Sequence, residues 1–314
     1  MSVFSDFESF RAAHQSCVAT IGKYDGLHLG HLHVVESLRT TARNQGLPAV
    51  VILSEPHPEE FFGGDNAPPR LSRFQDKVNF LLANGVDAIF QMTFDKALCE
   101  LSAEAFIQQY LVEGLNVSTL IVGDDFRFGY KRSGDFSLLV EKGRESGFEV
   151  LREEPCLVEG ERVSSTMVRK ALLNGDCEAV KKLLGRYYSI TGMVEEGKKL
   201  GRELGIPTAN IALESAKLPL QGIFSVQVSL DGRTLPGVAS IGFNPTVENI
   251  RQPKLEVHIF DFDENIYGAI LSVSFIKKLR DEKAFEDIEA LKTQMLIDIS
   301  EAWDSLQALT AIDS

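Results

Sequence analysis

Cys17-Val18-Ala19-Thr20-Ile21-Gly22-Lys23-Tyr24-Asp25-Gly26-Leu27-His28-Leu29-Gly30-His31 decides the fold of the first half of this chain. Cys17 to Ile21 is an apolar, β-branched run with the length of a buried strand, and Gly22 to Gly30 is a glycine-containing loop. Leu32, Val35, Leu38 and Ala42 then recur at helical spacing until Gly46 and Pro48 stop the helix. Ala49-Val50-Val51-Ile52-Leu53 is the next strand. A helical crossover between two strands implies parallel pairing, since antiparallel neighbours need no more than a tight turn. Working outward, the same alternation predicts a helix from Phe74 to Asn84, a strand at Ala88-Ile89-Phe90 and a helix from Ala103 to Glu113. A strand at Thr119-Leu120-Ile121-Val122 and a helix from Phe136 to Ser146 follow. The expectation is an α/β fold, an open parallel sheet covered by helices on both faces.

The pattern changes after Gly185. Period-two runs now dominate, at Tyr188 to Val194, Ile223 to Leu230, Gly237 to Ile241, Lys254 to Phe260 and Leu271 to Phe275. Asp231-Gly232 between two of them is a strong hairpin dipeptide. Short strands at this spacing predict a small antiparallel barrel. A closing helix is expected to pack an apolar face on it, with Phe285, Ile288, Leu291, Met295, Ala302, Trp303 and Leu306 on that face. Two domains follow, 1–185 and 186–314, with the boundary near residues 184–188.

Composition agrees. The 314 residues are about twice a ~150-residue domain. Apolar types at 44% and charged types at 25% are ordinary for a globular chain. A net charge of −13 makes nucleic acid or an anionic membrane a poor partner, because phosphate neutralisation needs surplus cations. Local basic pockets for small phosphorylated ligands remain compatible with it. Cys17, Cys99, Cys156 and Cys177 are scattered and form no C-x-x-C pair, which reads as reduced thiols in the cytoplasm. The first ten residues carry Asp6 and Glu8 and no apolar core, so no secretory signal is expected. No apolar run approaches the ~18 residues that cross a bilayer.

The chemistry of the first half lies in three segments and one lone aromatic. His28-Leu29-Gly30-His31 falls between the first strand and its helix, at the carboxyl edge where ligands of parallel sheets bind. The free N–H groups of the helix start attract phosphate, Gly30 permits close backbone approach, and two imidazoles can donate to phosphate oxygens. Such an arrangement stabilises charge on a departing pyrophosphate. The strand–loop–helix context and Asp25-Gly26 just upstream strengthen the phosphate reading against two alternatives, surface histidines that include His33 or a zinc-binding pair. The second segment, Ser164-Ser165-Thr166-x-x-Arg169, ends a strand and opens a helix. Alone it is a good helix start; beside the histidine loop it reads as the opposite wall of one triphosphate site, with Arg169 reaching the phosphates. The third is Gly123-Asp124-Asp125-Phe126-Arg127-Phe128-Gly129, where Asp125 can bond a base or ring edge. Phe126 and Phe128 either wall a planar ligand or pack in the core. Phe62, after Pro56-His57-Pro58, is either a lid over a flat ring or a buried loop anchor.

In the second half, Gly197, Gly201 and Gly205 suit a loop rather than a helix, and such a loop can wrap phosphates. Thr208 and Asn210 of Pro207-Thr208-Ala209-Asn210 offer hard oxygens for Mg²⁺ shared with a nucleotide, although the tetrapeptide alone reads as a turn. Glu256 shares a strand face with His258, opposite Leu255, Val257 and Ile259. It is either a solvated carboxylate or a base accepting a proton from an alcohol that attacks a γ-phosphate.

Taken together, these motifs resemble the bacterial bifunctional riboflavin kinase/FMN adenylyltransferases (FAD synthetases). Gly22-x-Tyr24-Asp25-Gly26-x-His28-x-Gly30-His31, the Gly123–Gly129 segment and Ser164-Ser165-Thr166-x-x-Arg169 match the adenylyltransferase half in spacing and order. Pro207-Thr208-Ala209-Asn210, the segment Gly237 to Thr246, Leu255-Glu256-Val257-His258 and Tyr267-Gly268 are similar to the riboflavin kinase module. The resemblance implies a Rossmann-like nucleotidylyltransferase domain followed by a Greek-key barrel. It implies ATP as co-substrate, Mg²⁺, and riboflavin, FMN and FAD as substrates and products. His28, His31, Ser165, Thr166 and Arg169 would then hold the triphosphate, and Asp125 and Phe62 would sit at nucleotide and flavin. Glu256 would activate the ribityl 5′-hydroxyl, with Thr208 and Asn210 on the metal-nucleotide. The chain departs from the family pattern at Lys23, Tyr24, Leu53, Ser54 and Asn244. Competing readings are retention of one activity, namely the kinase, another phosphorylated acceptor at the first site, or a silent flavin-binding protein.

Overall fold

The structure is a computed structural model and describes residues 2–123, 125–197, 200–215, 217–245 and 251–312. Asp124 and Thr246 of the motifs above lie outside the described residues, as does the side chain of Asn244. Internal contacts divide the chain into two units, Met1–Pro68 with Ser72–Ser164, and Pro69–Leu71 with Ser165–Ser314.

The first unit is built on strands β1 (Val3–Phe4), β2 (Cys17–Gly22), β3 (Ala49–Glu55), β4 (Ala88–Thr93), β5 (Val117–Gly123) and β6 (Glu149–Glu153). They lie in the order β1-β4-β3-β2-β5-β6, and every neighbouring pair is parallel. Alternate residues feed two cores: Cys17, Ala19, Val50 and Ile52 pack on one face, Val18, Val51, Leu53 and Ile121 on the other. Burial on both faces is why these strands read as continuous apolar runs. The helix after β2, Leu29–Gln45, ends on Gly46 with φ of 65°, whose N–H bonds the Ala42 carbonyl. The helix expected over 103–113 starts as Ala103–Phe106 and widens into a π-wound stretch, Ile107–Gly114. β1, β6 and β7 (Leu157–Val158) were not anticipated from the sequence; β8 (Glu161–Arg162), which forms a short hairpin with β7, is the strand expected before Ser164.

From β2 the chain builds outward through β3 and β4, then returns to place β5 on the other side of β2. The crevice of such a sheet opens where the order reverses, beyond the carboxyl ends of β2 and β5. The histidine loop follows β2 and the Asp125 loop follows β5.

The second unit contains β9 (Ser189–Glu195), β10 (Ala209–Ile211), β11 (Gly222–Leu230), β12 (Arg233–Pro245), β13 (Arg251–Ile259) and β14 (Ile270–Arg280). They close a barrel in the order β10-β13-β12-β11-β14-β9. The run β14-β11-β12-β13 is a Greek key, with the fourth strand returning beside the first. Asp231 and Gly232 have φ of 48° and 78°, which is the primed turn their sequence specifies between β11 and β12. Two helices, Ser165–Leu173 and Cys177–Leu184, belong to this unit, and so does the terminal helix Ile288–Ile312. Ala302 and Leu306 of that helix bury against Phe260 and Ile276, as its apolar face requires. Phe285 precedes the helix and Ile288 is exposed, so the packed face begins later than the spacing suggested.

Candidate active sites

His28 caps the helix after β2, and its Nδ1 accepts the His31 N–H at 3.3 Å. The two rings stack with centroids 3.7 Å apart, and Tyr24 covers His31 at 4.8 Å. Tyr24 is buried and its hydroxyl bonds Thr20 Oγ1 at 3.0 Å; burial pushes its phenol well above the ordinary range. A Cβ at Gly30 would lie 3.1 Å from the His28 ring, and one at Gly22 would lie 3.1 Å from the Tyr24 ring. Both glycines therefore leave room for the aromatic stack. Asp25 is 1% exposed, and its Oδ1 accepts the Ser72 N–H at 3.0 Å, so it fastens the loop to the body of the unit.

On the other side of the crevice, Asp125 pairs with Arg162 at 2.8 Å on the surface. Phe128 is buried against Phe106, with ring centroids 5.4 Å apart, and stacks on Phe126 at 5.5 Å. Its ring therefore packs in the core. Phe62 is 72% exposed and meets Phe61 and Phe94 edge-on at 5.2 and 5.9 Å. It is therefore not a buried loop anchor. Ser165 and Thr166 open the helix Ser165–Leu173 of the second unit, and Arg169 Nε donates to the Pro69 carbonyl at 2.8 Å within that unit. Lys77, read from the sequence as one residue of a helix, is fully buried with its Nζ 2.9 Å from His57 Nε2.

On the barrel, β10 pairs β13 so that Asn210 lies opposite Glu256 and Ala209 opposite Val257. Directly opposed residues share a face. Leu255 and Val257 are buried inside the barrel, so Glu256 and Asn210 point outward together. β10 is three residues long, too short to show alternation, which is why Pro207-Thr208-Ala209-Asn210 read as a turn. A Cβ at Gly197 would collide with the Asn210 carboxamide, and one at Gly201 with the Ile206 carbonyl. The glycine segment, expected as loop, contains one helical turn, Leu200–Glu203, because Gly201 tolerates that close backbone approach.

A cavity of about 330 Å³ brings Glu256, Thr208 and Gly201 together with Ser240, Glu282 and Phe285. Leu291, Met295 and Ile299 of the terminal helix supply an apolar wall. Lys254 Nζ stands 2.6 Å from Glu256 Oε1. Burial raises the Glu282 carboxyl above its usual range, and the charge of Glu256 adds to this. A second hollow, of about 540 Å³, also reaches Thr208 and opens among Arg202, Phe262 and Tyr267. Among the described residues no group of three His, Cys, Asp or Glu is placed to hold a metal. The oxygens of Thr208 and Asn210 suit a hard cation that keeps its remaining ligands from phosphates and water.

The FAD synthetase family model matches residues 10–167 and the riboflavin kinase model matches residues 184–306. A bifunctional riboflavin kinase/FMN adenylyltransferase of Pseudomonas fluorescens is 42% identical over 96% of this chain and 97% of its own length. The Haemophilus influenzae protein of the same name is 43% identical over 92% of this chain and 94% of its own. A crystal structure titled macrolide-efflux protein from Streptococcus pneumoniae superposes with a TM-score of 0.80 at 26% identity, covering 94% of this chain and 96% of that one. No helix among the described residues is long and apolar enough to cross a membrane.

Proposed function

The chain belongs to the bifunctional riboflavin kinase/FMN adenylyltransferase family, and on that premise we propose how its residues divide the two reactions. The C-terminal half phosphorylates riboflavin to FMN with ATP, and the N-terminal half adenylylates FMN to FAD with release of pyrophosphate. We assign the adenylyltransferase to 1–185 and the kinase to 186–314.

In the barrel, Glu256 accepts the proton of the ribityl 5′-hydroxyl while that oxygen attacks the γ-phosphorus of ATP and ADP departs. The observation that carries this is the convergence of Glu256 with Thr208 and Gly201 on one cavity, with Asn210 opposite the carboxylate. The apolar wall of Leu291, Met295 and Ile299 suits a flavin ring, and the hollow beside Thr208 suits the nucleotide. Thr208 and Asn210 would hold Mg²⁺, which neutralises phosphate charge when bound. Lys254 holds the Glu256 carboxylate in place before substrate enters.

In the first unit an oxygen of the FMN phosphate attacks the α-phosphorus of ATP, and the bond to the bridging oxygen breaks as pyrophosphate leaves. The FMN phosphate is already a nucleophile, so the work is positioning and charge stabilisation. His28 and His31 donate to the phosphates beside the free N–H groups of their helix. The family resemblance assigns the triphosphate to Ser165, Thr166 and Arg169, the nucleotide to Asp125 and the flavin to Phe62. The free thiols support a cytoplasmic setting.

Chromatography of products after incubation with riboflavin, ATP and Mg²⁺ tests this: FMN and then FAD should accumulate. Repeating it with the chain cut between residues 185 and 186 should leave FMN formation in one fragment and FAD formation from added FMN in the other. Both products from one fragment would refute the division.

A further inference from the structure

We infer that Lys77 is a positioning residue for FAD formation, its buried ammonium tying the histidine loop to the turn that carries Phe61 and Phe62. The inference rests on the assignment of FMN adenylylation to the first unit.

Lys77 lies in the helix Phe74–Ala83 and none of its side chain reaches solvent. A buried ammonium is costly unless acceptors surround it, and this one has N–H donors for three. Two accept hydrogen bonds, His57 Nε2 at 2.9 Å and the Lys23 carbonyl at 3.2 Å, and the Glu55 carboxylate pairs with the ammonium at 3.6 Å. Lys23 begins the loop from β2 to His28. Glu55 ends β3, and His57 precedes the helix Pro58–Gly63 that bears both phenylalanines. One amine therefore touches the loops at the carboxyl ends of two neighbouring strands. The first loop presents the imidazole pair; the second presents the aromatic wall.

A leucine at 77 would cover the same core surface and satisfy the helix, which otherwise packs Val78 and Leu81 inward. What it would lose is the connection between the loops. The Lys23–Glu59 pair joins the same two segments at 2.6 Å, but both side chains are about two-fifths exposed, where ion pairs contribute little. Lys77 is sealed from substrate, so it acts through His57 and Lys23 rather than on the reacting atoms. Misplacement of one wall relative to the other by an ångström is enough to cost about a hundredfold in rate.

The test uses the full chain and its second activity as an internal control. Lys77→Met should lower kcat for FAD formation about tenfold or more and raise KM for FMN, while riboflavin phosphorylation stays within about twofold. Constants for FAD formation within twofold of the parent would overturn the inference. So would a loss confined to stability, with normal kcat and KM in the folded fraction. Should Lys77→Met fail to fold, the His57 variants decide: His57→Gln keeps an acceptor for Lys77 and should retain FAD formation, whereas His57→Leu should lose it about tenfold. Equal losses in the two would refute a role through His57. A parent chain that makes FMN but no FAD would overturn the underlying assignment, and this inference with it.

Discussion

His28 and His31 lie face to face, their centroids 3.7 Å apart and their planes 16° from parallel, at the start of the helix that follows β2. Residues three apart on a helix share a face, and here the first of them is also the N-cap, so both rings stand beside the free N–H groups. Tyr24 backs the pair, and Gly30 is the residue whose missing side chain lets His28 fold over the helix start.

Replacing both histidines tests that geometry. The His28→Ala/His31→Ala variant should lose FAD formation by about 10²-fold or more, the scale of losing oriented donors to developing charge. FMN formation from riboflavin should be largely intact, because Glu256 and its cavity belong to the other unit. Product chromatography of a well-folded variant reads both at once, and loss of both activities would contradict independent sites.

What was legible in the sequence was local. The β-branched run before Gly22, the glycine at 46 and the Asp231-Gly232 turn each specify their own backbone, and the structure follows them. Tyr24 reads as a departure from the family pattern, yet its hydroxyl bonds Thr20 four residues away. What was not legible depends on partners distant in the chain. Lys77 resembles any helical lysine until His57 and the Lys23 carbonyl are placed around it. β10 is strand because β13 and β9 flank it, not because three residues show a period. Phe128 reads in the sequence as a ligand wall slightly ahead of a core residue, and only the distant Phe106 shows its ring packed in the core.

Glu256→Gln separates the activities in the opposite sense. It keeps the shape of the side chain but cannot accept the hydroxyl proton, so riboflavin phosphorylation should fall about 10²- to 10⁴-fold. Added FMN should still be converted to FAD at the parental rate. Lys254→Met, which removes the cation 2.6 Å from that carboxylate, should reduce phosphorylation less than Glu256→Gln does. Initial rates measured by ADP release and by FAD fluorescence distinguish the cases.

Asp298 should matter for stability. It is 4% exposed and takes Arg280 in a two-point pair at 2.8 and 2.7 Å, with Gln294 adding a third bond at 2.9 Å. Asp298→Ala leaves the Arg280 guanidinium beside a partly buried gap, and removing one member of a buried pair costs about 3–5 kcal/mol. Denaturant unfolding followed by Trp303 fluorescence should show the midpoint falling. An unchanged midpoint would mean that solvent already satisfies Arg280.

The four thiols should fall into two classes. Burial pushes Cys17 up to about 12 and Cys177 up to about 11. A raised thiol pKa leaves less thiolate at a given pH, and the thiolate is the reactive form. Native protein at pH 8 should therefore label at Cys99 and Cys156, both partly exposed, and at Cys17 and Cys177 only after denaturation. Mass spectrometry of alkylated peptides reads the pattern.

Gly197→Ala should damage the kinase without damaging the fold. A methyl group there collides with the carboxamide of Asn210, not with backbone, so the strain is relieved when that side chain rotates away. Asn210 is the residue opposite Glu256 and one of the two proposed metal-nucleotide ligands. Rotation removes an oxygen from the nucleotide side of the site and leaves the base untouched, so the main effect should be a rise in KM for Mg·ATP, with KM for riboflavin little changed. The unfolding midpoint should move little, since the substitution lies on the surface of the barrel rather than within it. At Gly201 the obstacle is the Ile206 carbonyl, which is backbone and cannot rotate aside. Gly201→Ala should therefore distort the segment leading to Thr208 and lower stability and phosphorylation together. If the two alanine variants behaved alike, the distinction between a side-chain and a backbone obstacle would fail, and with it the placement of Asn210 against Gly197.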